Sequence, residues 1–169
     1  MKSAELLVDA FDRIRGVVHR DVDGLKPEQL TYRVDGRSNS IAWLVWHLTR
    51  VQDDHIADVA GFGQAWTVRG WFEQFGLPFD PSATGYGFSS EEVDAVRVES
   101  AELLAGYHDA VYEQTIRYVE TLRDDDLDRV VDRNWDPPVT LGVRLVSVIS
   151  DGLQHAGQAA FVRGLVIAD

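Results

Sequence analysis

The stretch Leu141-Gly-Val-Arg-Leu-Val-Ser-Val-Ile-Ser-Asp151-Gly-Leu-Gln-His155-Ala-Gly-Gln158 decides how the rest of the chain is interpreted. Its apolar residues recur at the spacing of an amphipathic helix, and that line consists of Leu141, Leu145, Val148, Gly152, Ala159 and Val162. Asp151 and His155 are four residues apart, which in a helix means about 40° of rotation and roughly 6 Å of rise. Both side chains can therefore point at one object. His155 falls on the apolar line, where an imidazole needs either a hydrogen-bond partner in the core or a metal ion.

Three further stretches carry the same helical periodicity. The first spans residues 3–21, the second spans residues 41–60 after the N-cap cluster Ser38-Asn-Ser40, and the third covers residues 101–122. A capping box at Ser89 predicts a helix start ahead of the third helix, with an interruption near residues 98–100. No alternating pattern predicts a β-strand. The last helix is expected to begin after Thr140 and to run to about Val166.

Residues 62–88, between the second and third helices, are rich in glycine and aromatic residues and contain two prolines. A connection of this length is typical of a binding lid, although its aromatic residues can equally cap one end of the core. The sequence therefore predicts an all-α fold, a four-helix bundle with a long crossover between helices 2 and 3. We expect a single domain over residues 1–169.

The composition excludes several classes of protein. The 169 residues carry a formal net charge of −12, which repels phosphate backbones and anionic membranes, so neither nucleic acid nor a membrane is an expected partner. The longest stretch without a charged side chain, residues 38–49, is too short to cross a bilayer, and the N-terminal residues have no apolar signal core. A cytoplasmic location is the resulting expectation. The absence of cysteine excludes disulfides, cysteine-based metal sites and a thiol nucleophile supplied by the chain itself.

A histidine on the second helix completes a candidate metal site. Bundles build such sites from side chains on facing helices, and a metal needs at least three convergent ligands. His47 can join Asp151 and His155 of the last helix. Two imidazoles and one carboxylate leave coordination positions open for water or substrate, and they suit zinc or another divalent first-row ion. The second helix also carries Asp54 and His55, so it is the second stretch that contains candidate functional residues.

Other catalytic signatures are absent from the sequence. It contains no His-Glu-x-x-His zinc helix, no phosphate-binding Gly-x-x-x-x-Gly-Lys loop and no Gly-x-Ser-x-Gly elbow. The Glu-x-x-His pairs of di-iron bundles are missing as well. His108 is expected at an exposed or border position of the third helix.

The segment Asn39-Ser-Ile-Ala-Trp-Leu-Val-Trp-His47-Leu48, followed about a hundred residues later by Asp151-x-x-x-His155-x-x-Gln158, resembles the DinB-like metal-binding four-helix family. Within that family the chain is similar to the branch of mycothiol-dependent S-transferases, which is related to mycothiol-dependent maleylpyruvate isomerase. The resemblance extends over essentially the whole chain. It implies that His47, Asp151 and His155 hold a divalent metal, with zinc as the first choice and nickel, manganese or another first-row ion as alternatives.

The first member of the pair on the last helix departs from the family pattern. Relatives have His there, or Glu in the isomerases, whereas this chain has the shorter Asp151. Asp54 or His55 can therefore complete or replace a ligand. Gln158, which lies one turn beyond His155, is expected to orient a ligand or a water molecule.

The resemblance implies a metal-dependent S-transferase. The metal would bind the sulfur of a low-molecular-weight thiol, with mycothiol as the expected co-substrate, and lower its pKa. The resulting thiolate would attack an electrophilic small molecule held against the aromatic crossover. Two alternatives stay open: a non-catalytic small-molecule binding protein on the same fold, and a metal-dependent hydrolase. Apolar surface on the first and third helices suggests a homodimer.

Overall fold

The computed structural model describes residues 2–167 and confirms the all-α architecture. The helices in chain order are α1 (Ser3–Val22), α2 (Pro27–Leu30), α3 (Ile41–Ala60), α4 (Ala65–Val68), α5 (Trp71–Phe75), α6 (Ser90–Asp94), α7 (Ala101–Val119) and α8 (Leu141–Val166). A 3₁₀ helix at Asp124–Asp128 precedes two short strands, β1 (Val130–Asp132) and β2 (Val139–Thr140). The long helices α1, α3, α7 and α8 form the bundle. α1 and α3 each pack against both α7 and α8, so α1 and α3 lie on one diagonal.

The bounds of the long helices follow from local sequence. The Ser40 hydroxyl accepts a hydrogen bond from the Trp43 amide at 3.1 Å and starts α3, and Gly61 ends it with a φ of 75°. Thr140 caps α8 in the same way. The capping box at Ser89 starts only the short α6, and the chain becomes helical again at α7. The interruption expected at residues 98–100 is therefore confirmed.

The apolar line predicted on α8 faces the core. Its members, together with Ala156, are all buried: Leu141, Leu145, Val148, Gly152, Ala159 and Val162. α1 supplies Phe11, Ile14 and Val18 to the same core, and α3 is buried along most of its length. α1 and α8 approach closely at Gly152, where an added Cβ would lie 3.1 Å from the Ile14 Cδ1 atom. α8 thus packs tightly on α1 and α3, which sets the position of Asp151 and His155.

The crossover between α3 and α7 contains three short helices and eight of the 17 aromatic residues of the chain. Trp66 is 2% exposed and packs its ring edge-on against Phe75, with 5.2 Å between ring centroids. Phe79 and Phe88 pack together at 4.7 Å, and Phe88 stacks on Trp46. Most of these aromatic rings therefore extend the core under the crossover.

Two features differ from the sequence-based expectations. The antiparallel pair β1 and β2 was not expected, because strands of three and two residues are too short to show an alternating pattern. The prediction for His108 is wrong: the residue is 1% exposed because α7 packs against α3, and its Nδ1 atom lies 3.1 Å from the Thr49 hydroxyl. Burial lowers the pKa of His108 to about 4.

The exposed surface also differs in detail. More of the exposed large apolar side chains lie on α8 than on any other helix, namely Val143, Val146, Leu153, Phe161 and Leu165. α1 exposes Leu6, whereas the large apolar side chains of α7 are buried or half-buried. No helix within residues 2–167 combines the length and apolar composition needed to span a bilayer.

Candidate metal centre

Three side chains from two helices converge between α3 and α8. His47 comes from α3, whereas Asp151 and His155 come from successive turns of α8. Each residue offers one ligand atom, and these three atoms all lie within 4.8 Å of one another. The two imidazole rings meet edge to face, with 4.9 Å between their centroids. The structure therefore brings together the three residues that the sequence indicated as a metal site.

His47 is held in one orientation from two sides. Its Nδ1 atom lies 2.6 Å from the main-chain oxygen of Thr84, and because that oxygen can only accept, Nδ1 donates and Nε2 keeps its lone pair. The indole of Trp43 stacks on the ring, with 4.4 Å between centroids and 14° between planes. Gly85 lies so close that an added Cβ would be 2.9 Å from His47 Nδ1. Burial lowers the pKa of His47, opposed by the hydrogen bond to Thr84. The side chain is thus a neutral, oriented imidazole.

His155 has a parallel arrangement on α8. Its Nδ1 atom lies 3.1 Å from the Gln158 amide oxygen, an acceptor, so the second nitrogen is left for another partner. That second nitrogen, Nε2, lies 3.4 Å from Asp151 Oδ1. The interaction with Asp151 raises the pKa of His155, and burial opposes this shift. Gln158 thus contacts His155, and its role in orienting a metal ligand stays a prediction.

Asp151 provides the test of whether a metal fits here. Its Oδ2 atom is buried and has no hydrogen-bond partner among the described residues. A buried carboxylate oxygen without a partner is costly, and a cation placed between the three side chains would satisfy it. Two imidazole nitrogens and a carboxylate oxygen are a donor set that divalent first-row ions accept. The residues present therefore fit a divalent metal, and the shorter Asp151 side chain reaches the two histidines.

Asp54 and His55 lie outside this group. The Asp54 carboxylate accepts a hydrogen bond from the Gln64 amide at 2.8 Å. His55 Nδ1 lies 3.3 Å from Nη1 of Arg144 on α8, a permanent cation. Burial lowers the pKa of His55, and the charge of Arg144 lowers it further. Because Arg144 can only donate, His55 Nδ1 accepts this hydrogen bond, and its lone pair is not free to bind a metal ion.

A buried ionic network supports the loop that covers His47, and sequence reasoning missed it. Residues 81–85 form the covering segment, which lies over α3. The Arg50 guanidinium, fully buried, donates to the main-chain oxygens of Ala83 at 3.0 Å and Pro81 at 3.3 Å. Its charge is balanced by Asp53, 3.7 Å away, which also accepts from the Tyr107 hydroxyl at 2.9 Å. Arg50 therefore fixes the main chain immediately before Thr84.

One signal in the sequence could have identified this network. α3 begins with a nearly continuous apolar run, residues 41–48, which indicates a helix buried on all sides. Arg50 and Asp53 follow directly, at a spacing that places them on the same face. Charged side chains in such a helix must be paired with each other or with main-chain groups. The sequence does not indicate which main-chain groups these are.

A cleft of about 280 Å³ opens beside the three convergent side chains. Trp43 and Phe88 form aromatic walls, and Gly85 and Gly87 bring the main chain close. Tyr86 is 91% exposed at the edge of the cleft. A small molecule can therefore reach His47, Asp151 and His155 from solvent, with aromatic surface on one side.

Comparison with known proteins agrees with the fold. Residues 6–167 match the family model described as mycothiol-S-transferase. The chain is also similar to the crystal structure of a conserved protein from Enterococcus faecalis, with 31% identity, a TM-score of 0.92 and coverage of 100% of this chain and 99% of that one. None of the curated proteins compared with the chain matches it. Because the family model extends over nearly the full sequence, the chain belongs to the mycothiol-S-transferase family.

Proposed function

We propose that this protein is a divalent-metal-dependent S-transferase that uses mycothiol as its thiol co-substrate. The observation that carries the proposal is the convergence of His47, Asp151 and His155, with their ligand atoms within 4.8 Å of one another. The buried, unpartnered Oδ2 atom of Asp151 supports it, as does the membership in the mycothiol-S-transferase family. Zinc fits the mixed nitrogen and oxygen donors, and nickel or manganese is compatible with them.

The chain's own residues prepare the site for thiol chemistry. A divalent metal bound there supplies a Lewis acid that lowers the pKa of a thiol. His47 and His155 are fixed by hydrogen bonds from their Nδ1 atoms, so both imidazoles stay aimed at the site. Trp43 and Phe88 limit the access of water along one wall. Because the sequence has no cysteine, the reacting sulfur comes from the co-substrate and not from the protein.

The experiment combines metal analysis with a transfer assay. Purified protein is expected to contain close to one divalent ion per chain and to transfer mycothiol to a fluorogenic electrophile such as monochlorobimane. Removal of the metal by a chelator should abolish transfer, and added zinc should restore it. His155→Ala should lose both metal and transfer, whereas His19→Ala, a histidine on α1, should retain both.

The outcomes separate the proposal from its alternatives. Full transfer by metal-free protein would contradict the proposal. Turnover of the electrophile that requires metal but no thiol would indicate a hydrolase. A protein without metal, whose melting temperature is unchanged by chelator, would be a non-catalytic binding protein.

We also propose that the protein lies in the cytoplasm and that it forms a homodimer. The exposed apolar side chains of α8 offer a surface for a second copy. Light scattering coupled to size-exclusion chromatography measures the mass. A monomer at micromolar concentration would contradict the dimer.

A further inference from the structure

A second and larger cleft lies further along the same pair of helices. It encloses about 870 Å³, compared with about 280 Å³ for the cleft at the three convergent side chains. His55 lines it, eight residues after His47 on α3, which corresponds to about 12 Å along the helix axis. From α8, Arg144 lines it, seven residues before Asp151. The two clefts therefore open at successive levels of the groove between α3 and α8.

The covering segment borders both clefts. Pro81 and Ser82 line the larger cleft, whereas Gly85 lines the smaller one. A ligand with one end at His47 and the other at His55 would have to span about 12 Å.

The lining of the larger cleft has the chemistry of a site for a polyhydroxylated group. Trp135, in the loop between β1 and β2, is 67% exposed and presents an aromatic surface to the cleft. Such a surface packs well on the C–H face of a sugar-like ring. Around it stand the carboxylates of Asp54, Asp58 and Asp132 and the amide of Gln64, which can accept or donate hydrogen bonds to hydroxyl groups.

The charges of the cleft select against an acidic ligand. The three carboxylates face one permanent cation, Arg144, which already pairs with Asp132 at 3.0 Å. The lowered pKa of His55 keeps its imidazole neutral, so it adds no positive charge. A ligand that carries carboxylates would be repelled, whereas a neutral polyol would not.

We infer that the larger cleft binds the neutral, polyhydroxylated arm of the thiol co-substrate while its sulfur lies at the three convergent side chains. This inference rests on the proposed function, because it assigns the two ends of one thiol to the two clefts. Mycothiol carries neutral polyhydroxylated rings on its cysteine and therefore matches this chemistry. Glutathione, whose arms end in carboxylates, does not.

The test uses a ligand that cannot donate a thiolate. S-methylated mycothiol is titrated into chelator-treated protein by isothermal calorimetry, so that binding reports the arm and not the metal. Trp135→Ala should weaken binding by roughly tenfold, since the aromatic surface is lost. Phe161→Ala is a matched control, because Phe161 is also 67% exposed but lies on α8 and lines a different cleft. Its affinity for the ligand should equal that of the wild type.

A second measurement tests the charge argument. Metal-loaded wild type is expected to bind mycothiol more tightly than glutathione, and Asp58→Asn should narrow that preference because one repelling carboxylate is removed. Asp58 is exposed, so the variant should fold normally.

Two results would overturn the inference: no binding of S-methylated mycothiol to the wild type, or unchanged binding in Trp135→Ala. A protein that binds S-methylated mycothiol through Trp135 but holds no metal would overturn the proposed transfer reaction and leave the arm site standing.

Discussion

His47 and His55 show how two histidines of one helix come to differ. They are eight residues apart on α3, both face α8, and burial lowers the pKa of both. His47 donates to the Thr84 main-chain oxygen and meets a carboxylate and a second imidazole on α8. His55 meets Arg144. Both histidines lie on α3, so the difference between them comes from the residues that α8 presents: a carboxylate and an imidazole at His47, and a guanidinium at His55.

The largest expected effect is the loss of metal in His47→Ala. Loss of a residue that hydrogen-bonds a metal ligand weakens metal binding by about 10- to 100-fold. Because His47 is a proposed ligand itself, its removal should weaken zinc binding by more than this. His55→Ala should keep the wild-type affinity, because His55 lies outside the convergent group. Competition with a chromophoric chelator measures both constants. Equal losses in the two variants would show that the two ends of α3 are not distinct.

A smaller effect is expected from Gly85→Ala. The new Cβ would lie 2.9 Å from both His47 Nδ1 and a Trp46 ring atom, so the imidazole or the covering segment must move. Zinc affinity should fall by about 10- to 100-fold, as it does when an outer partner is lost. Gly87→Ala is the control: its φ of 74° makes the backbone equally strained, but nothing lies within 4 Å of the added atom.

Both glycine variants should lose stability by about 1–3 kcal/mol, because alanine is forced into the left-handed region. Only Gly85→Ala should lose metal affinity. Thermal melts of the metal-free proteins measure the first property and chelator competition measures the second. A parallel loss of affinity in Gly87→Ala would show that strain, and not the contact with His47, is responsible.

Arg50→Lys should reduce zinc affinity by still less. Lysine keeps the charge near Asp53, but a single ammonium cannot reproduce the planar fork that reaches Pro81 and Ala83 together. The covering segment should loosen at Thr84, and zinc affinity should fall by about tenfold. Gln52→Met removes a buried hydrogen bond to Thr115, away from the covering segment, and should leave zinc affinity unchanged.

The smallest effect concerns the order of protonation in metal-free protein. The pKa of His155 is raised above its ordinary value of 6.5, whereas the pKa values of His47 and His55 are lowered. On acidification His155 should therefore take up a proton first, and zinc affinity should begin to fall there because Nε2 must be unprotonated to bind a metal. NMR titration of the imidazole resonances measures the order. Protonation of His55 before His155 would contradict it.

The sequence predicts the scaffold and the three convergent residues well. The periodicity of α8 identifies both the core face and the Asp151 and His155 pair, and the caps at Ser40 and Thr140 define helix starts. These features depend on neighbours in the sequence. His47 requires one further step, the assumption that the second and last helices face each other, which the bundle architecture supports.

Other features depend on contacts between distant segments, so the sequence did not reveal them. The burial of His108 requires knowledge of which face of α7 meets α3. The role of Arg144 beside His55 requires the register of α8 against α3. Trp135 appears in the sequence only as part of a polar connection, and its position in a cleft follows from the short strands that flank it.

The covering segment acts on its neighbours through main-chain oxygens: those of Pro81 and Ala83 accept from Arg50, and that of Thr84 accepts from His47. Ser82→Ala and Thr84→Ala should therefore leave zinc affinity nearly unchanged, since truncation of a side chain leaves the main-chain carbonyl in place. Replacement of the amide by an ester at Thr84, which weakens the carbonyl as an acceptor, would be needed to expose the contribution. Loop exchange aimed at new substrates would likewise have to preserve the course of the backbone here, and it would have to keep Gly85, where an added Cβ would lie 2.9 Å from His47 Nδ1.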